Sequence, residues 1–498
     1  MPALPRQTPP GLISIDPAPL HLISPHLSMQ FMEALGATDS AVAAAWDDDA
    51  DTWRQDFVEI VGDLAPGAIR WGGLMSRYYR WREGIGPLHA RQPMRNYQWG
   101  GWETNRVGTA ELVALCRQVR ADPIFTVNFL SDGHVRFRHT STGDRTADAG
   151  EAADWVSYCN DPDNRARRAH GQQAPFDVKL WQLGNETSYG ENGFSKSEAI
   201  GHTAAFARAM RVRDPSIKVI AWGDRGRAAD PSLWARDMLR QAGEHLDYLA
   251  IHMMQQLPTR SDSVLHGRRY QDAPGQAWSE LMDIAAGTEE RLAEVESVIA
   301  AESPATAIAV TEGHLSLTPH NANPILEEWL SGAYHARMLN IYQRHGRTVR
   351  IATAADFMGT RWSVVAVRLP VPGGRSYLMP VGSVMRLFQR HNGERAVSVT
   401  TAPSDLDIAA SRSGDTIFLH VANLSDANAI RGTIAVDGRR VAGGRVLEIA
   451  PDRLRQAVTP EEPDVFAPVE KSLSIVPSPQ WLFPAASVSA IELHLQAA

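Results

Sequence analysis

The sequence has little of what marks several classes of protein. It has only two cysteines, Cys116 and Cys159, and neither a CxxC pair nor a histidine-rich cluster accompanies them. We therefore expect buried, inert thiols, with metal ligation as the less favoured alternative. No run of about 18 apolar residues occurs, which argues against a membrane-spanning helix. No run of basic residues occurs either, and the formal net charge of -8 disfavours nucleic acid as a partner.

The N-terminal residues also lack the apolar segment of a signal peptide, because prolines interrupt MPALPRQTPPGLISIDP where that segment would lie. On the sequence as it stands we expect a cytoplasmic protein. Hydrophobic residues make up 44% and charged residues 21% of the chain, a balance typical of globular rather than disordered proteins. A chain of this length suffices for about two to four domains, or for one large barrel with an appendage.

Between about residues 23 and 360, short β-rich apolar runs alternate with longer segments of helical periodicity, for example 195–213 and 277–301. This pattern predicts a parallel sheet with crossover helices. The apolar runs end at Phe31 and span 68–72, 123–129, 178–186, 218–223, 246–254, 307–314 and 351–357. Eight runs favour a (β/α)8 barrel over an open doubly wound sheet, and no GxGxxG motif follows the first run to indicate dinucleotide binding.

After about residue 365 the pattern changes to short alternating segments separated by turn residues, which predicts an antiparallel β-sandwich. The segment LISID at 12–16 could add a strand to it. We therefore predict three parts in an α/β protein. Residues 1–22 form an N-terminal segment whose strand joins the sandwich, 23–365 form the catalytic (β/α)8 barrel, and 366–498 form the β-sandwich.

The predicted barrel strands end in unusually polar residues. In such a barrel the active site lies at the carboxyl ends of the strands, so these residues are the candidates for a site. Each one alone could mark only a strand that emerges into solvent, whereas several that converge on one opening favour a site. The candidates are Arg70, Asn128, Asn185, Glu186, His252, Glu312, His314 and Asp356.

Two of the candidates, Glu186 on strand four and Glu312 on strand seven, form a pair of carboxylates at one opening. Glycosidic cleavage needs one protonated carboxyl group as acid and one ionised group as nucleophile. Partial burial could raise the pKa of Glu186, and proximity to Arg70 and His252 would hold Glu312 as the anion. Asn185 would then present its amide to the sugar hydroxyl next to the reacting carbon.

Several segments resemble, in their order along the chain, the motifs of glycoside hydrolase family 51. They are Arg70-Trp71-Gly72-Gly73, YRWREGIGP at 79–87, ETNRVGTAEL at 103–112, VKLWQLGNE at 178–186 and YLMPVGSVMRLFQRHNG at 377–393. The resemblance covers most of the chain, from FMEALG at 31–36 into the predicted sandwich. It implies a retaining barrel hydrolase with catalytic glutamates on strands four and seven, in a family made up largely of α-L-arabinofuranosidases.

The resemblance also implies roles for single residues. Glu186 is similar to the general acid/base and Glu312 to the nucleophile. Glu33 resembles the strand-one glutamate that touches the sugar, and Asn185 resembles the asparagine that bonds the 2-hydroxyl. The other expected substrate-binding positions, some of which could instead support the site from behind, are Arg70, Asn128, His252, His314 and Asp356.

The sequence departs from the family pattern around this pair. Leu74 stands where the family has asparagine, and Met254 where it has the tyrosine that supports the nucleophile; neither side chain can supply the polar contact it replaces. His314 follows in place of asparagine, and Asp356 in place of the strand-eight glutamine. Asp356 could bond sugar hydroxyls or a cationic group, or merely pair with Arg361. Glycoside hydrolysis is therefore better supported than specificity for arabinose.

The sequence thus predicts a retaining exo-glycoside hydrolase, α-L-arabinofuranosidase-like, that releases terminal furanosyl residues from oligo- or polysaccharides by double displacement without metal or cofactor. Alternatives are a β-xylosidase, galactofuranosidase or endoglucanase of the same clan, and a non-hydrolytic carbohydrate-binding protein. Two carboxylates without compensating charges at a barrel mouth would give a binding protein no advantage, which argues against the last alternative. We expect a carbohydrate substrate as partner, and the resemblance implies a homo-oligomer.

Overall fold

The computed structural model describes residues 11–131, 145–189, 194–226, 232–254, 261–319, 321–475 and 478–496. Its strands, in chain order, are β1 (Leu12–Leu22), β2 (Gln30–Met32), β3 (Trp46–Asp47), β4 (Thr52–Trp53), β5 (Ala68–Trp71), β6 (Met94–Arg95), β7 (Trp102–Glu103), β8 (Asp122–Val127), β9 (Leu180–Leu183), β10 (Lys218–Trp222), β11 (Tyr248–His252), β12 (Ala307–Glu312), β13 (Val349–Ala352), β14 (Asp356–Gly359), β15 (Val365–Arg368), β16 (Tyr377–Leu378), β17 (Arg395–Thr401), β18 (Leu406–Ser413), β19 (Thr416–Asn423), β20 (Ile430–Val436), β21 (Val441–Ile449), β22 (Val469–Ser472), β23 (Gln480–Phe483) and β24 (Val488–Leu495).

The α-helices are α1 (Ala41–Ala44), α2 (Gln55–Leu64), α3 (Thr109–Val119), α4 (Ala149–Asn160), α5 (Arg165–Ala169), α6 (Lys196–Arg213), α7 (Ala235–Ala242), α8 (Pro274–Glu302), α9 (Leu330–Arg344) and α10 (Pro380–Arg390). From β5 to β13, at least one α-helix lies in the chain between each strand of the parallel sheet and the next strand of that sheet. The sequence sets some of these boundaries locally. Ser195 and Glu198 form a reciprocal capping box at the start of α6, as the polar pair before its helical segment leads one to expect.

The first large sheet contains the eight predicted apolar runs as parallel strands in the order β13-β12-β11-β10-β9-β8-β5-β2. Its two ends meet, because the N–H of Met29 beside β2 donates to the carbonyl oxygen of Ala352 in β13 at 3.0 Å. The eighth run is interrupted where the Thr353 hydroxyl donates to the carbonyl of Ala355, and it resumes as β14, which pairs with β2.

A single apolar cluster fills the space inside this curled sheet. Every one of the eight strands contributes to it through side chains on the same face, because strand residues alternate between the two faces. The contributors are Phe31, Ala68, Ile124, Leu180, Ile220, Ala250, Ala309 and Ile351. A second, larger cluster lies between the outer face of the sheet and the helices. The next inward positions along the strands lie above the inner cluster and include Arg70 and His252.

The second large sheet has nine strands in the order β22-β21-β24-β19-β18-β17-β1-β20-β23. Strands from both of its halves enclose one core, which includes Ile13, Leu419, Val446 and Phe483. As predicted, the LISID segment, which forms part of β1, joins this second sheet. One pairing departs from the predicted antiparallel pattern: β1 lies between β17 and β20 and pairs antiparallel with β17 but parallel with β20.

The predicted domain boundary at 365/366 stays a prediction, and two observations concern the strands next to it. Strands β15 and β16 continue the first sheet, and β17, the next strand of the second sheet, begins at Arg395. Cys116 and Cys159 are unpaired and buried, as predicted, and burial raises the pKa of both thiols. Among the helices of the described residues, none has both the length and the apolar content to cross a membrane.

Candidate active site

The carboxyl-terminal edge of the parallel sheet brings all the predicted site residues into one buried region. Each of them is at least nine-tenths buried: Glu33, Arg70, Asn128, Asn185, Glu186, His252, Glu312, His314 and Asp356. These residues lie at the ends of strands far apart in sequence, so their convergence follows from the closed order of the strands.

Glu186 and Glu312 face each other across His252. One oxygen of each carboxylate and one ring nitrogen of His252 all lie within 4.8 Å of one another. The His252 Nδ1 forms a hydrogen bond of 3.0 Å with Glu186 Oε1 and lies 3.6 Å from Glu312 Oε2. The predicted carboxylate pair is thus assembled, with the imidazole between its members.

A β-bulge directs Glu312 into the site. Ile251 pairs with Val310, but His252 pairs with Glu312, so Thr311 is an extra residue in β12. Such a bulge re-aims the following side chain. Thr311 Oγ1 lies 3.2 Å from His252 Nε2, and therefore both Thr311 and Glu312 contact the imidazole.

Arg70 connects the two glutamate-bearing strands. Its Nη1 donates to Glu312 Oε1 at 3.2 Å, its Nη2 to Asn185 Oδ1 at 2.6 Å, and its Nε to Gln182 Oε1 at 2.7 Å. The guanidinium also lies over the Phe31 ring, 4.7 Å from its centroid. Arg70 therefore orients Glu312 and Asn185. The Asn185 Nδ2 group is buried and has no hydrogen-bond partner among the described residues.

The pKa values of the two glutamates shift opposite to the expected directions. Burial raises the pKa of Glu186, but the hydrogen bond and charge of His252, with the charges of Arg77 and Arg70, lower it below its ordinary value. Burial raises the pKa of Glu312, and the charges of His252 and Arg70 do not fully offset this. The physical reason is position, because His252 Nδ1 is closer to Glu186 than to Glu312.

Glu33 follows β2, and two N–H groups donate to its carboxylate. Its Oε2 accepts the backbone N–H of Met75 at 3.1 Å, and its Oε1 accepts Trp99 Nε1 at 3.3 Å. Gly73 has a φ of 91°, and a Cβ there would lie 2.3 Å from Glu33 Oε2, so only glycine fits. Burial, and then the charge of Glu312, raises the pKa of Glu33 well above its usual range.

His314 and Asp356 form a buried ion-pair contact, with Nδ1 and Oδ1 3.1 Å apart. Neither atom has a well-formed hydrogen bond among the described residues. Burial lowers the pKa of His314, but the contact with Asp356 and the charges of Asp356, Glu312 and Glu186 together outweigh burial, and the net shift is upward. The sequence did not indicate His314 as a partner of Asp356; the Arg361 side chain, which it did indicate, is exposed, and the Arg361 backbone N–H bonds Asp39.

Asn128 makes several contacts with neighbouring loops. Its Nδ2 lies within hydrogen-bonding distance of the carbonyl oxygens of Arg77, Ser131 and Arg145, and its Oδ1 accepts the N–H of Ser131. These contacts are those of a supporting residue, one of the two alternatives for Asn128, and its contact with substrate stays a prediction.

Sequence reasoning missed several residues that complete the site. Gln182 and Thr311 are polar residues within apolar strand runs, a local signal that could have identified them. Arg77 and Asp224 give no such signal, because their contacts are distant in sequence. Arg77 bonds the turn around Glu186, and the buried Asp224 accepts the His252 backbone N–H at 3.0 Å while pairing with Arg291.

Among the described residues, Glu186, His252 and Glu312 form the cluster whose donor atoms could hold a metal ion. Both His252 nitrogens already bond Glu186 and Thr311, and Glu312 Oε1 already accepts from Arg70. A cation would have to displace these contacts and lie beside the Arg70 guanidinium.

Comparison with known proteins finds similarity to arabinofuranosidases. The family model described as "Alpha-L-arabinofuranosidase 1 domain" matches residues 60–273. The chain is 30% identical over 253 residues to the intracellular exo-alpha-(1->5)-L-arabinofuranosidase of Streptomyces lividans, covering 48% of this chain and 36% of that protein. A similar enzyme of Bacillus subtilis is 31% identical over 41% of this chain and 39% of its own length. The chain thus aligns with well under half the length of these curated relatives.

Solved structures match over nearly the whole chain. The alpha-L-arabinofuranosidase from Thermotoga maritima, in its arabinose complex, has a TM-score of 0.79 and 25% identity, covering 97% of this chain and 100% of its own. AbfB, a family 51 alpha-L-arabinofuranosidase from Bifidobacterium longum, has a TM-score of 0.81 at 20% identity, covering 98% of this chain and 100% of its own. The second likeness concerns the fold alone.

Proposed function

We propose that this chain is a member of glycoside hydrolase family 51 and acts as a retaining exo-glycoside hydrolase of the α-L-arabinofuranosidase type. Its substrates are oligo- or polysaccharides with terminal furanosyl residues. The observation that carries the proposal is the buried pair of Glu186 and Glu312, whose oxygens lie within 4.8 Å of each other. Retaining enzymes separate their two carboxyl groups by about 5–5.5 Å, and inverting ones by about 6.5–9.5 Å to admit a water.

The reaction proceeds by double displacement. Glu186 donates a proton to the glycosidic oxygen as the C1–O bond breaks, and a Glu312 oxygen bonds to C1, which forms a glycosyl ester. Glu186, now a carboxylate, then accepts a proton from the water that attacks C1, and the ester bond to Glu312 breaks. Arg70, already on Glu312, stabilises the carboxylate that departs in this second step.

The charge of Glu312 couples the two steps. While Glu312 is an anion, its field favours the protonated form of Glu186; ester formation removes that charge and favours Glu186 as the base. Without a bound sugar, His252 disfavours the protonated form of Glu186, because its hydrogen bond and charge lower the pKa of Glu186. A bound sugar whose glycosidic oxygen takes the place of the His252 contact gives Glu186 the partner that its acid role requires.

Sugar binding uses groups that still have bonding capacity. The Asn185 Nδ2 donates to the 2-hydroxyl, Glu33 accepts from a further hydroxyl, and His314 with Asp356 bonds another part of the ring. Arg70 and His252 act through the carboxylates. Because Leu74 and Met254 offer no polar contact, the specificity for plain arabinofuranosides is weakened, and another furanoside, or a xyloside, is the second candidate.

The wider organisation is part of the same proposal. The inner cluster with a contribution from every strand supports a (β/α)8 barrel, and the core enclosed by the nine-stranded sheet supports a β-sandwich. We place the domains at about 23–365 and 366–498, with 1–22 contributing a sandwich strand. Because relatives are named intracellular enzymes, we place this chain and its carbohydrate substrate inside the cell. The proposal of a homo-oligomer rests on the family resemblance alone.

A panel of 4-nitrophenyl glycosides tests the proposal, with the anomer first released identified by NMR. We expect release from the α-L-arabinofuranoside or another furanoside, with retained configuration. If nitrophenol were released from none of the glycosides, the carbohydrate-binding protein would be the remaining alternative. A product of inverted configuration would contradict double displacement. A preference for xylosides would keep the mechanism and replace the substrate.

A further inference from the structure

Arg77 holds the turn that carries Glu186. Its Nη2 donates to the carbonyl oxygen of Glu186 at 2.8 Å and reaches those of Asn185 and Tyr189 at 3.4 Å each. Its Nε also reaches the carbonyl of Asn185 at 3.4 Å. One guanidinium thus gathers three carbonyl oxygens of a single turn, as its planar fork of donors allows.

This turn needs a restraint because of its backbone. Glu186 has a φ of 49°, in the left-handed region that residues with a side chain rarely adopt. Such a conformation persists only where surrounding contacts enforce it, and it is typical of functional sites. The Glu186 side chain direction, and with it the distance to Glu312, depends on this conformation.

Arg77 is itself held in place by Asn128, which follows β8. Its carbonyl oxygen accepts from Asn128 Nδ2 at 3.2 Å, and Asn128 in turn bonds Ser131 and Arg145. A continuous chain of contacts therefore runs from the end of β8, through Arg77, to Glu186. The positive charge of Arg77 also contributes to lowering the pKa of Glu186.

Building on the proposed function, we propose that Arg77 is a positioning residue for proton transfer by Glu186, and that Asn128 holds it in place. Arg77 touches no reacting atom. It fixes the backbone of Glu186, so that the carboxyl group reaches the glycosidic oxygen. Its loss should therefore impair the step that needs the proton, and spare substrates whose leaving group departs without one.

The test measures kcat/KM on aryl furanosides of the sugar the enzyme accepts, from dinitrophenyl to unsubstituted phenyl leaving groups. For Arg77→Met we expect a loss of about 10-fold or more on the phenyl glycoside and less than about 3-fold on the dinitrophenyl one, since general acid catalysis contributes about 10²–10⁴-fold. Arg77→Lys, which keeps charge and one donor group, should recover part of the loss. Arg82→Met, in the same segment but paired with the exposed Asp154, is the matched control and should match the wild type.

Equal losses on both leaving groups, or no loss on either, would overturn the positioning role. If Arg77→Met does not fold by thermal melting, Arg77→Gln provides the same comparison with the same criterion. Failure of the wild-type protein to cleave any glycoside would instead overturn the proposed function, so the two results are distinguishable.

Discussion

Two sides of the site differ in how completely their polar groups are bonded. On the catalytic side, formed by Arg70, Glu186, His252 and Glu312, each side chain bonds another charged or polar group. On the recognition side, formed by His314 and Asp356, the facing atoms lie close together without a well-formed hydrogen bond. Buried polar atoms that lack partners are costly, so they are commonly completed by water or ligand.

From this comparison we propose that the chemistry and the choice of sugar are carried by different parts of the site. A preorganised network fixes charges before the substrate arrives, and this is what catalysis needs. A pair without complete hydrogen bonds instead gains them from the bound substrate, so the site discriminates against sugars that lack the matching group. The departures from the family pattern at His314 and Asp356 fall on the recognition side, whereas both glutamates are retained.

The largest expected effect on activity comes from replacing the proposed nucleophile, Glu312. Glu312→Gln should lower kcat/KM by at least about 10³-fold, or about 4 kcal/mol of transition-state stabilisation, because no other group can form the glycosyl ester. The measurement uses the best substrate of the glycoside panel. Asp356→Asn on the recognition side is the comparison and should keep measurable turnover. A Glu312→Gln enzyme with a tenth of wild-type activity would remove Glu312 from this role.

The next effect concerns stability on the catalytic side. Arg70→Met should lower the free energy of unfolding by about 3–5 kcal/mol, because it leaves the buried Glu312 carboxylate and the Asn185 oxygen without their cation. Urea denaturation measures it. Arg82→Met, which breaks an exposed pair, should cost less than about 1 kcal/mol. Similar values for the two variants would mean that the Arg70 network contributes little.

A smaller effect is expected on specificity. Asp356→Gln combined with Leu74→Asn should raise the ratio of kcat/KM for the α-L-arabinofuranoside over the other accepted glycosides by about 10-fold, because hydrogen-bonding groups discriminate more strongly than an apolar wall. Each single variant serves as a control for additivity. An unchanged ratio would mean that these substitutions do not determine the sugar.

The smallest effect is a pH dependence of stability. Asp356 raises the pKa of His314, so the folded state binds that proton more tightly than the unfolded chain. This stabilisation is fully present below the ordinary histidine pKa of 6.5 and is lost as the pH rises through the raised value. Asp356→Asn should therefore unfold more easily than wild type at pH 5.5, and the difference should shrink at alkaline pH. Four other titratable groups lie in this region: Glu33, Glu186, Glu312 and His252. If the stability difference between wild type and Asp356→Asn grew with pH, these groups, and not His314, would be its cause.

The sequence by itself determined the strand pattern and the candidate carboxylate pair. Apolar runs that end in polar residues identified eight parallel strands and, at the ends of two of them, Glu186 and Glu312, because these signals are local and periodic. Burial of the two cysteines followed in the same way. The parallel entry of β1 was not predictable, since pairing partners distant in sequence leave no local pattern.

Only the tertiary structure decided which groups touch. The bulge at Thr311, the approach of His252 to Glu186 and the bonding of Asn128 to loops all depend on angstrom-scale positions of segments far apart in the chain. The direction of each glutamate's pKa shift follows from those positions, because Coulomb interactions in a buried site change strongly with distance. Sequence therefore determined which residues are present at the strand ends, and folding decided what each one does there.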